Sequence, residues 1–383
     1  MKRFLWHKFV FVALRPAAGP IVKHMMGYSC EKRKGPDKPS LIISNHNADL
    51  DPALVALGFS RHMYFLASEH ALRNGFASKV LKFLFSPIPI NKARNDLSAI
   101  KEMIRMLKAG ANVCLFAEGD RSFNGVTGPV ALSTAKLVKT SGADLITYRL
   151  EGGYFTTPRW ASGRHKGKMS GGIVGMYSAA VLAEMTSEEI LASIERDIYE
   201  DAYERQSGRL ECYRGKNLAE NIETTLYLCP GCKKIGTIKS VGARFFCECG
   251  LDAVYTETGL LEGGTLPFST ITQWDRWQEG QLREIIENSG DGPICADEAQ
   301  QLYEINTAVS KTLAGEGLMS IDRNAFHCGE ITFGLEQIAQ FSVTGQMTLI
   351  FGLKNGTTYE VHSAVPRSAL KYREIFKILR NGG

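Results

Sequence analysis

Apolar segments of two kinds alternate along the first half of the chain. Runs of strand length lie at residues 41–44, 63–67, 112–116 and 144–150. Segments whose apolar side chains recur at helical spacing lie at residues 52–59, 97–109 and 131–140. Because strands and helices that alternate in this way are typical of an α/β domain, we predict a mixed sheet flanked by helices.

A further helix is predicted to begin at Thr186, because Thr186-Ser187-Glu188-Glu189 has the sequence of a capping box. Apolar residues then recur every four positions, at Ile190, Ile194, Ile198 and Ala202. We interpret the many Glu and Asp residues of this segment as its solvated face. With this helix, the predicted α/β domain extends over residues 35–210.

The pattern changes to short strands from about residue 311. They are predicted at residues 317–322, 325–328, 338–343, 348–352 and 358–362. A final helix at residues 368–380 carries one apolar stripe. Antiparallel strands followed by one helix resemble, in pattern only, a pleckstrin-homology-like β-barrel. We therefore predict a small PH-like β domain at residues 310–383 that docks lipid or a protein partner.

Residues 268–306 are predicted to form a helical linker before this domain. A helix opens at residues 272–278 and runs to about Glu287, with Trp274 and Trp277 on one face. Two aromatic side chains on one face either pack on a neighbouring element or contact lipid headgroups.

Two close cysteine pairs lie near the middle of the chain. They are Cys229 and Cys232, then Cys247 and Cys249. This arrangement predicts a zinc ribbon at residues 222–258, in which four thiolates hold a structural Zn²⁺ and leave no open position for catalysis. Gly231 and Gly250 would supply the turns. Two disulfides or free core thiols are the alternatives, but nine cysteines without an export signal favour a reducing compartment.

A histidine and a carboxylate lie five positions apart where the strand at residues 41–44 leads into a helix. Asp51 is predicted to be the N-cap, since Pro52 suits the first helical position, and His46 lies in the preceding turn. A carboxylate bonded to one ring nitrogen leaves the other free to take a proton from a hydroxyl. The alternative is that both side chains only satisfy backbone groups of the turn.

Charged residues also follow two other predicted strands. The segment 114–122 passes from an apolar strand into a turn that carries Glu118 and Arg121, and the short strand at residues 88–90 delivers Lys92 and Arg94. Open α/β sheets place their sites beyond the carboxyl ends of strands. A base, cations and a carboxylate are thus expected to meet at one edge of the sheet.

These motifs resemble the glycerolipid acyltransferase superfamily, which includes the lysophosphatidate acyltransferases. The resemblance covers roughly residues 35–165. The N-H-x-x-x-x-D motif matches at Asn45, His46, Leu50 and Asp51, and the F-P-E-G-T-R-S motif matches at Phe116, Glu118, Gly119, Arg121 and Ser122. Departures from the family are Lys92 for Arg, Ala117 for Pro, Asp120 for Thr, and Tyr148 for the common Pro. An extra carboxylate at Asp120 is expected to compete with a substrate phosphate for Arg121.

The resemblance implies transfer of a fatty acyl group from acyl-CoA or an acyl carrier protein to the hydroxyl of a lysophospholipid, first of all lysophosphatidate. His46 would be the general base and Asp51 its orienting partner. Glu118 and Arg121, with Lys92 nearby, would hold the acceptor phosphate. The residues implied in substrate binding are Lys92, Arg94, Glu118, Gly119, Arg121 and Ser122. The alternative is a noncatalytic membrane adaptor, against which the intact His46 and Asp51 argue.

Composition and charge refine this picture. The chain of 383 residues has the apolar and charged content of an ordinary globular protein, with room for two or three domains. Its formal charge is +5, of which the first forty residues contribute +7 and the rest −2. No basic, aromatic surface is concentrated near the cysteines, so a nucleic-acid partner is not expected.

The basic residues 1–34 are predicted to form an amphipathic, membrane-proximal segment. The apolar run at residues 9–14 is too short to span a bilayer or to serve as a secretory signal. A helix in the interface of an anionic membrane fits this sequence, as does an ordinary helix packed on the α/β domain. Because the site is expected to handle lipid, we favour a peripheral protein on the cytoplasmic face of the cell membrane.

Overall fold

A computed structural model describes residues 2–31, 38–69, 72, 79, 82–90, 97–264, 266–306 and 310–381. The described residues form two compact units. The first contains those of 2–90, 97–158 and 164–214, and the second contains those of 159–163 and 215–381.

The first unit is built on a seven-stranded mixed sheet. Its strands are β1 (Tyr28–Cys30), β2 (Ser40–Ser44), β3 (Met63–Ser68), β4 (Ile88–Ile90), β5 (Asn112–Phe116), β6 (Asp144–Glu151) and β7 (Met169–Tyr177). Their order across the sheet is β1-β7-β6-β2-β5-β3-β4, and only the β6–β7 pair is antiparallel among these strands. The predicted mixed sheet is confirmed for this unit.

Helices cover both faces of the sheet. They are α1 (Lys2–Met26), α2 (Asp51–Gly58), α3 (Leu97–Lys108), α4 (Leu132–Ser141), α5 (Gly153–Thr156), α6 (Ala179–Glu184), α7 (Ser187–Ile198) and α8 (Ala202–Gln206). Because successive strand residues point to opposite faces, Leu41 and Ile43 enter one apolar core and Ile42 enters the other. β2 is therefore buried on both sides, which explains its uninterrupted apolar sequence.

Tyr148 is a bulky residue in the core that contains Ile42. Its hydroxyl lies 2.7 Å from the hydroxyl of Tyr28, and both rings are buried. Two glycines make room for it: a Cβ at Gly58 would lie 2.5 Å from the Tyr148 oxygen, and a Cβ at Gly171 would lie 2.9 Å from its ring.

Helix α1 packs within the first unit and also exposes apolar side chains. Val10 and Phe11 are buried, and His7 Nδ1 lies 2.8 Å from the Tyr64 hydroxyl. Phe9 and Val12 are exposed. The apolar run at residues 9–14 is only one part of this helix, which extends from Lys2 to Met26. Among the described residues, none of the helices combines the length and apolar composition that crossing a membrane requires.

The predicted capping box is confirmed, but the acidic face that follows it is not wholly solvated. Thr186 Oγ1 accepts from Glu189 N, and the Glu189 side chain accepts from Thr186 N. The helix ends at Ile198, and Ala202 begins a separate short helix. Asp197 is buried against Thr147 and Tyr177, so the interpretation of a solvated face is wrong at that position.

The second unit contains the cysteine pairs. A small antiparallel sheet is formed by β8 (Ile238–Val241), β9 (Arg244–Cys247), β10 (Asp252–Tyr255) and β11 (Leu261–Glu262). Helix α9 (Ile271–Asn288) follows. Trp274 is fully buried and its indole N–H donates to the Leu228 carbonyl at 2.9 Å. Of the two alternatives for Trp274, packing on a neighbouring element is therefore the one observed, and this side chain does not contact lipid.

The chain ends in a seven-stranded antiparallel sheet and a helix. The strands are β12 (Cys295–Ile305), β13 (Lys311–Ile321), β14 (Ala325–Cys328), β15 (Ile331–Gly334), β16 (Ile338–Thr344), β17 (Thr348–Leu353) and β18 (Thr358–Ser363), and the helix is α10 (Leu370–Asn381). Their order is β15-β14-β13-β12-β18-β17-β16.

Strand β12 corrects the predicted linker. The sequence places residues 295–305 in a helical linker, but they form a strand paired with β13 and β18. A register shift falls between Asp297 and Gln300, and Ala299 has a positive φ of 56°. This irregularity disrupts the alternation of apolar and polar residues, so the strand lacks the periodicity by which it could be recognised.

Candidate active site

The motif residues follow two strands that lie side by side. β2 and β5 are parallel neighbours in register, with Ser44 opposite Phe116. The two turns beyond them are joined by backbone bonds, since Ala117 N donates to Ser44 O and Ser122 N donates to His46 O. The predicted meeting of these two motifs at one edge of the sheet is confirmed.

His46 and Asp51 are in direct contact. His46 Nδ1 lies 2.9 Å from Asp51 Oδ2, which also accepts from the backbone N–H groups of Asn47 at 2.6 Å and Ala48 at 2.8 Å. Asp51 is the first residue of α2 and Leu50 precedes it as the cap, so the predicted N-cap role of Asp51 is wrong. Its carboxylate instead turns back to hold the preceding loop.

The imidazole of His46 is positioned for proton transfer. With Asp51 ionised, Nδ1 carries the hydrogen of their bond, and Nε2 keeps its lone pair. The ring stacks on Phe116 at 4.4 Å between centroids, and 21% of the side chain remains exposed. Within the described part of the chain, Nε2 has no hydrogen-bond partner. This nitrogen is therefore available to a substrate hydroxyl.

Glu118 lies behind the same turn. One of its oxygens accepts from His46 N and the other from Gly128 N, each at 2.7 Å. Burial raises the pKa of Glu118 to about 8, although these two backbone donors favour the ionised form. Both oxygens are thus engaged by the protein, and the geometry suits holding the His46 loop better than binding an acceptor.

Asn45 links the turn after β2 to β6 by hydrogen bonds. Its Nδ2 donates to Leu150 O and its Oδ1 accepts from Leu150 N, both at 2.8 Å. An asparagine side chain has an amide NH2 donor group beside a carbonyl acceptor, so it can pair with the N–H and C=O of one backbone residue as a strand residue would.

Glu200 is a buried residue of this region that the sequence did not identify. It accepts from Asn47 Nδ2, from Gly152 N at 2.9 Å and from Arg205 Nε at 3.1 Å. Burial raises the pKa of Glu200 to about 7, against the opposing effect of Arg205. The partners lie up to 153 positions away in sequence, so no local pattern marks this residue.

Arg121 lies beside the loop that carries His46. Its Nη1 is 3.2 Å from Asp49 Oδ1 and 3.4 Å from the Thr157 carbonyl. The guanidinium side chain is only 11% exposed, whereas that of Asp49 is 77% exposed. The expected competitor for Arg121 was Asp120, but the carboxylate in this ion pair belongs to Asp49.

The remaining motif residues shape the second turn. Ser122 is buried, and its Oγ donates to Val126 O at 2.8 Å and accepts from Gly125 N at 2.9 Å. Gly119 has a φ of +72°, which favours glycine. The predicted substrate-binding residues Lys92 and Arg94 lie outside the described residues.

The second unit brings four cysteines together. The sulfur atoms of Cys229, Cys232, Cys247 and Cys249 all lie within 4.8 Å of one another. Cys229 is 3.6 Å from Cys249, and Cys232 is 3.8 Å from Cys247. The four side chains predicted to share a metal are thus clustered.

Comparisons with known proteins bear on the first unit. The family model described as Acyltransferase matches residues 28–151, which run from the start of β1 to the end of β6. A search of curated proteins gave no match. Among solved structures, a similar one is the 1-acyl-sn-glycerophosphate (LPA) acyltransferase PlsC from Thermotoga maritima. It is 20% identical, with a TM-score of 0.44, and the alignment covers 53% of this chain and 82% of that one.

The burial of Glu200 predicts a pH-dependent stability. With a folded pKa of about 7, above the ordinary 4.5, Glu200 keeps its proton longer in the folded than in the unfolded chain. The contribution of Glu200 to the free energy of unfolding is therefore complete below the unfolded pKa of 4.5 and is lost as the pH rises through the folded pKa of about 7. The difference in unfolding free energy between wild type and Glu200→Gln should shift against wild type by on the order of 2 kcal/mol between pH 5 and 8.5.

Denaturant unfolding at several pH values measures this difference. Glu204 is exposed and lies in α8, four residues after Glu200, so Glu204→Gln is the matched control variant. A difference between wild type and Glu200→Gln that stays constant with pH would contradict the assignment.

Proposed function

We propose that this chain is an acyltransferase in which His46 is the general base. The observation that carries the proposal is the bond between His46 Nδ1 and Asp51 Oδ2, which leaves Nε2 available at the carboxyl edge of the sheet. Both residues lie inside the segment matched by the acyltransferase family model. The reaction proposed is transfer of a fatty acyl group from a thioester to a lipid hydroxyl.

The proposed reaction needs no covalent enzyme intermediate. The acceptor oxygen attacks the thioester carbonyl carbon while His46 Nε2 takes the hydroxyl proton, and the C–S bond then breaks. The imidazolium, stabilised by Asp51, returns the proton to the departing thiolate. The products are an oxygen ester and a free thiol. The thiol belongs to coenzyme A or to the prosthetic group of an acyl carrier protein.

We propose a lysophospholipid as the acceptor, with lysophosphatidate as the first candidate. Arg121 supports this choice, because a guanidinium presents donors in the geometry of phosphate oxygens and lies beside the His46 loop. An anionic acceptor would displace the exposed Asp49 from this cation. Glu118 is proposed to position the loop, and Lys92 and Arg94 keep their proposed role near the acceptor.

A noncatalytic adaptor is the weaker alternative. A buried carboxylate that orients a histidine has a use in proton transfer, whereas a scaffold has no need of an available Nε2. The C-terminal sheet and helix are proposed to serve the enzyme as a PH-like docking module for lipid or protein.

Substitution of the proposed base should abolish transfer. His46→Ala removes the proton acceptor, so the turnover rate should fall by at least about a hundredfold while the fold is kept. Asp51→Asn keeps an oxygen for the backbone donors of the loop but loses the charge that stabilises the imidazolium. Its rate should also fall strongly.

Release of free thiol from acyl-CoA and formation of labelled phosphatidate measure both variants. Thermal unfolding provides the control for folding. Normal turnover by folded His46→Ala protein would contradict the proposed mechanism.

Substitutions of Arg121 and Asp49 should differ in their effect on the KM for the acceptor. Arg121→Ala should raise the KM for lysophosphatidate by about tenfold and leave the KM for the donor nearly unchanged, because it removes one charge-assisted bond to phosphate. Asp49→Asn removes the competing carboxylate and should not raise the acceptor KM. If Arg121→Ala raises only the KM for the donor, Arg121 contacts the thioester carrier instead.

We also propose that α1 attaches the protein to an anionic membrane surface. The rings of Trp6 and Phe9 lie 6.1 Å apart, and those of Trp6 and Phe83 lie 5.6 Å apart. Together with the exposed Leu5 and Val12 they form an apolar patch. The cations of the first forty residues add electrostatic attraction to anionic headgroups.

Binding to vesicles tests this attachment. Because α1 also carries buried side chains, its deletion would disturb the fold, so exposed positions are changed instead. The double variant Phe9→Ser/Val12→Ser should bind vesicles containing phosphatidylglycerol about tenfold more weakly than wild type, since it removes apolar area that membrane binding would bury. Val181→Ser, an exposed site in α6, is the control. Equal binding to neutral and anionic vesicles would contradict the electrostatic part.

A further inference from the structure

We infer that Cys229, Cys232, Cys247 and Cys249 bind one structural zinc ion. In a tetrahedral site with Zn–S bonds of about 2.3 Å, the sulfur atoms are separated by about 3.8 Å. The two shortest separations, 3.6 Å and 3.8 Å, agree with this edge length. All four sulfur atoms lie within 4.8 Å of one another, so they converge on one point.

The backbone of the first cysteine pair is shaped to present its sulfur atoms. Lys233 N donates to Cys229 O at 2.9 Å, and Lys233 has a φ of 56° in the left-handed region. Gly231 lies against the cluster, because a Cβ at this position would be 3.0 Å from Cys249 Sγ. A side chain there would crowd the sulfur atoms. The second pair turns at Gly250, whose φ is +100°.

A neighbouring hydroxyl supports the cluster. Thr237 Oγ1 lies 3.3 Å from Cys247 Sγ and 3.7 Å from Cys232 Sγ. When the sulfur atoms are thiolates bound to a metal, the hydroxyl can donate a hydrogen bond to them. Groups that donate to ligating atoms are typical of metal sites.

The alternatives fit this arrangement less well. Two disulfides would join Cys229 to Cys249 and Cys232 to Cys247, but they would give no reason for the two pairs to converge on each other. Core thiols would be buried, whereas Cys249 is exposed and Cys232 is half-buried. Four thiolates around one ion account for both the convergence and the position at the surface.

The proposed zinc is structural. Four thiolates complete its coordination, so no position remains for a reactive water. Leu228, next to Cys229, accepts the indole N–H of Trp274. The metal would therefore hold the segment on which α9 is anchored, and its removal should expose Trp274 to water. This role is independent of the proposed acyl transfer.

Metal analysis of the full chain, purified with a thiol reductant and without chelator, tests the inference. About one zinc per chain is expected. Cys232→Ser should lose most of the metal. Cys212→Ser, an exposed cysteine outside the cluster, should retain it. Because a variant can fail to fold, wild-type protein is also exchanged with Co²⁺, and thiolate-to-cobalt charge-transfer absorption is expected at one equivalent.

Chelation of the wild-type protein gives a readout that does not depend on activity. Removal of zinc should shift the tryptophan fluorescence to longer wavelength, and added zinc should reverse the shift. Reduced protein that contains no zinc and shows no cobalt absorption would overturn the inference. So would recovery of Cys229–Cys249 and Cys232–Cys247 disulfides from protein trapped without oxidation.

Discussion

One buried carboxylate oxygen holds the arrangement at the edge of the first sheet. Asp51 Oδ2 receives the N–H groups of Asn47 and Ala48 together with the imidazole of His46. Hydrogen bonds to a charged acceptor are stronger than neutral ones, and a buried charge must be compensated by such donors. The loop therefore adopts the conformation that brings its own donors to this oxygen. The orientation of His46 is a consequence of how the loop satisfies Asp51.

Two further carboxyl groups surround this loop, and their burial has an energetic cost. Glu118 accepts from the backbone of His46, and Glu200 accepts from the side chain of Asn47. Their pKa values are raised by burial, so the folded protein tolerates them best when they carry a proton. Such a polar network is rigid only when its members are satisfied. The loop that carries His46 is therefore held by hydrogen bonds to three carboxyl groups, those of Asp51, Glu118 and Glu200.

The sequence predicted those features that depend on local pattern. Leu41 to Ser44 and Asn112 to Phe116 are apolar strands, and an open α/β sheet places its site beyond the carboxyl ends of its strands, so His46 and Glu118 could be expected at one edge of the sheet. That β2 and β5 are direct neighbours could not be predicted, because β3 and β4 lie between them in the chain. The full extent of α1 was missed because Pro16 and Pro20 interrupt it, and proline ordinarily ends a helix. Glu200 was missed because its burial depends on residues far away in sequence. The strand β7 was missed because glycines lower its strand propensity, and close packing requires two of them, Gly171 and Gly175.

Tyr148 also limits how this chain can be compared with its relatives. Gly58 and Gly171 leave space for its ring, and Tyr28 supplies the partner for its hydroxyl. Exchange of Tyr148 for a small residue alone would open a void and leave the Tyr28 hydroxyl buried without its partner. These four positions should therefore vary together in evolution. Substitutions that are neutral in a homologue with a small residue at this position would be deleterious here, which is epistasis arising from packing.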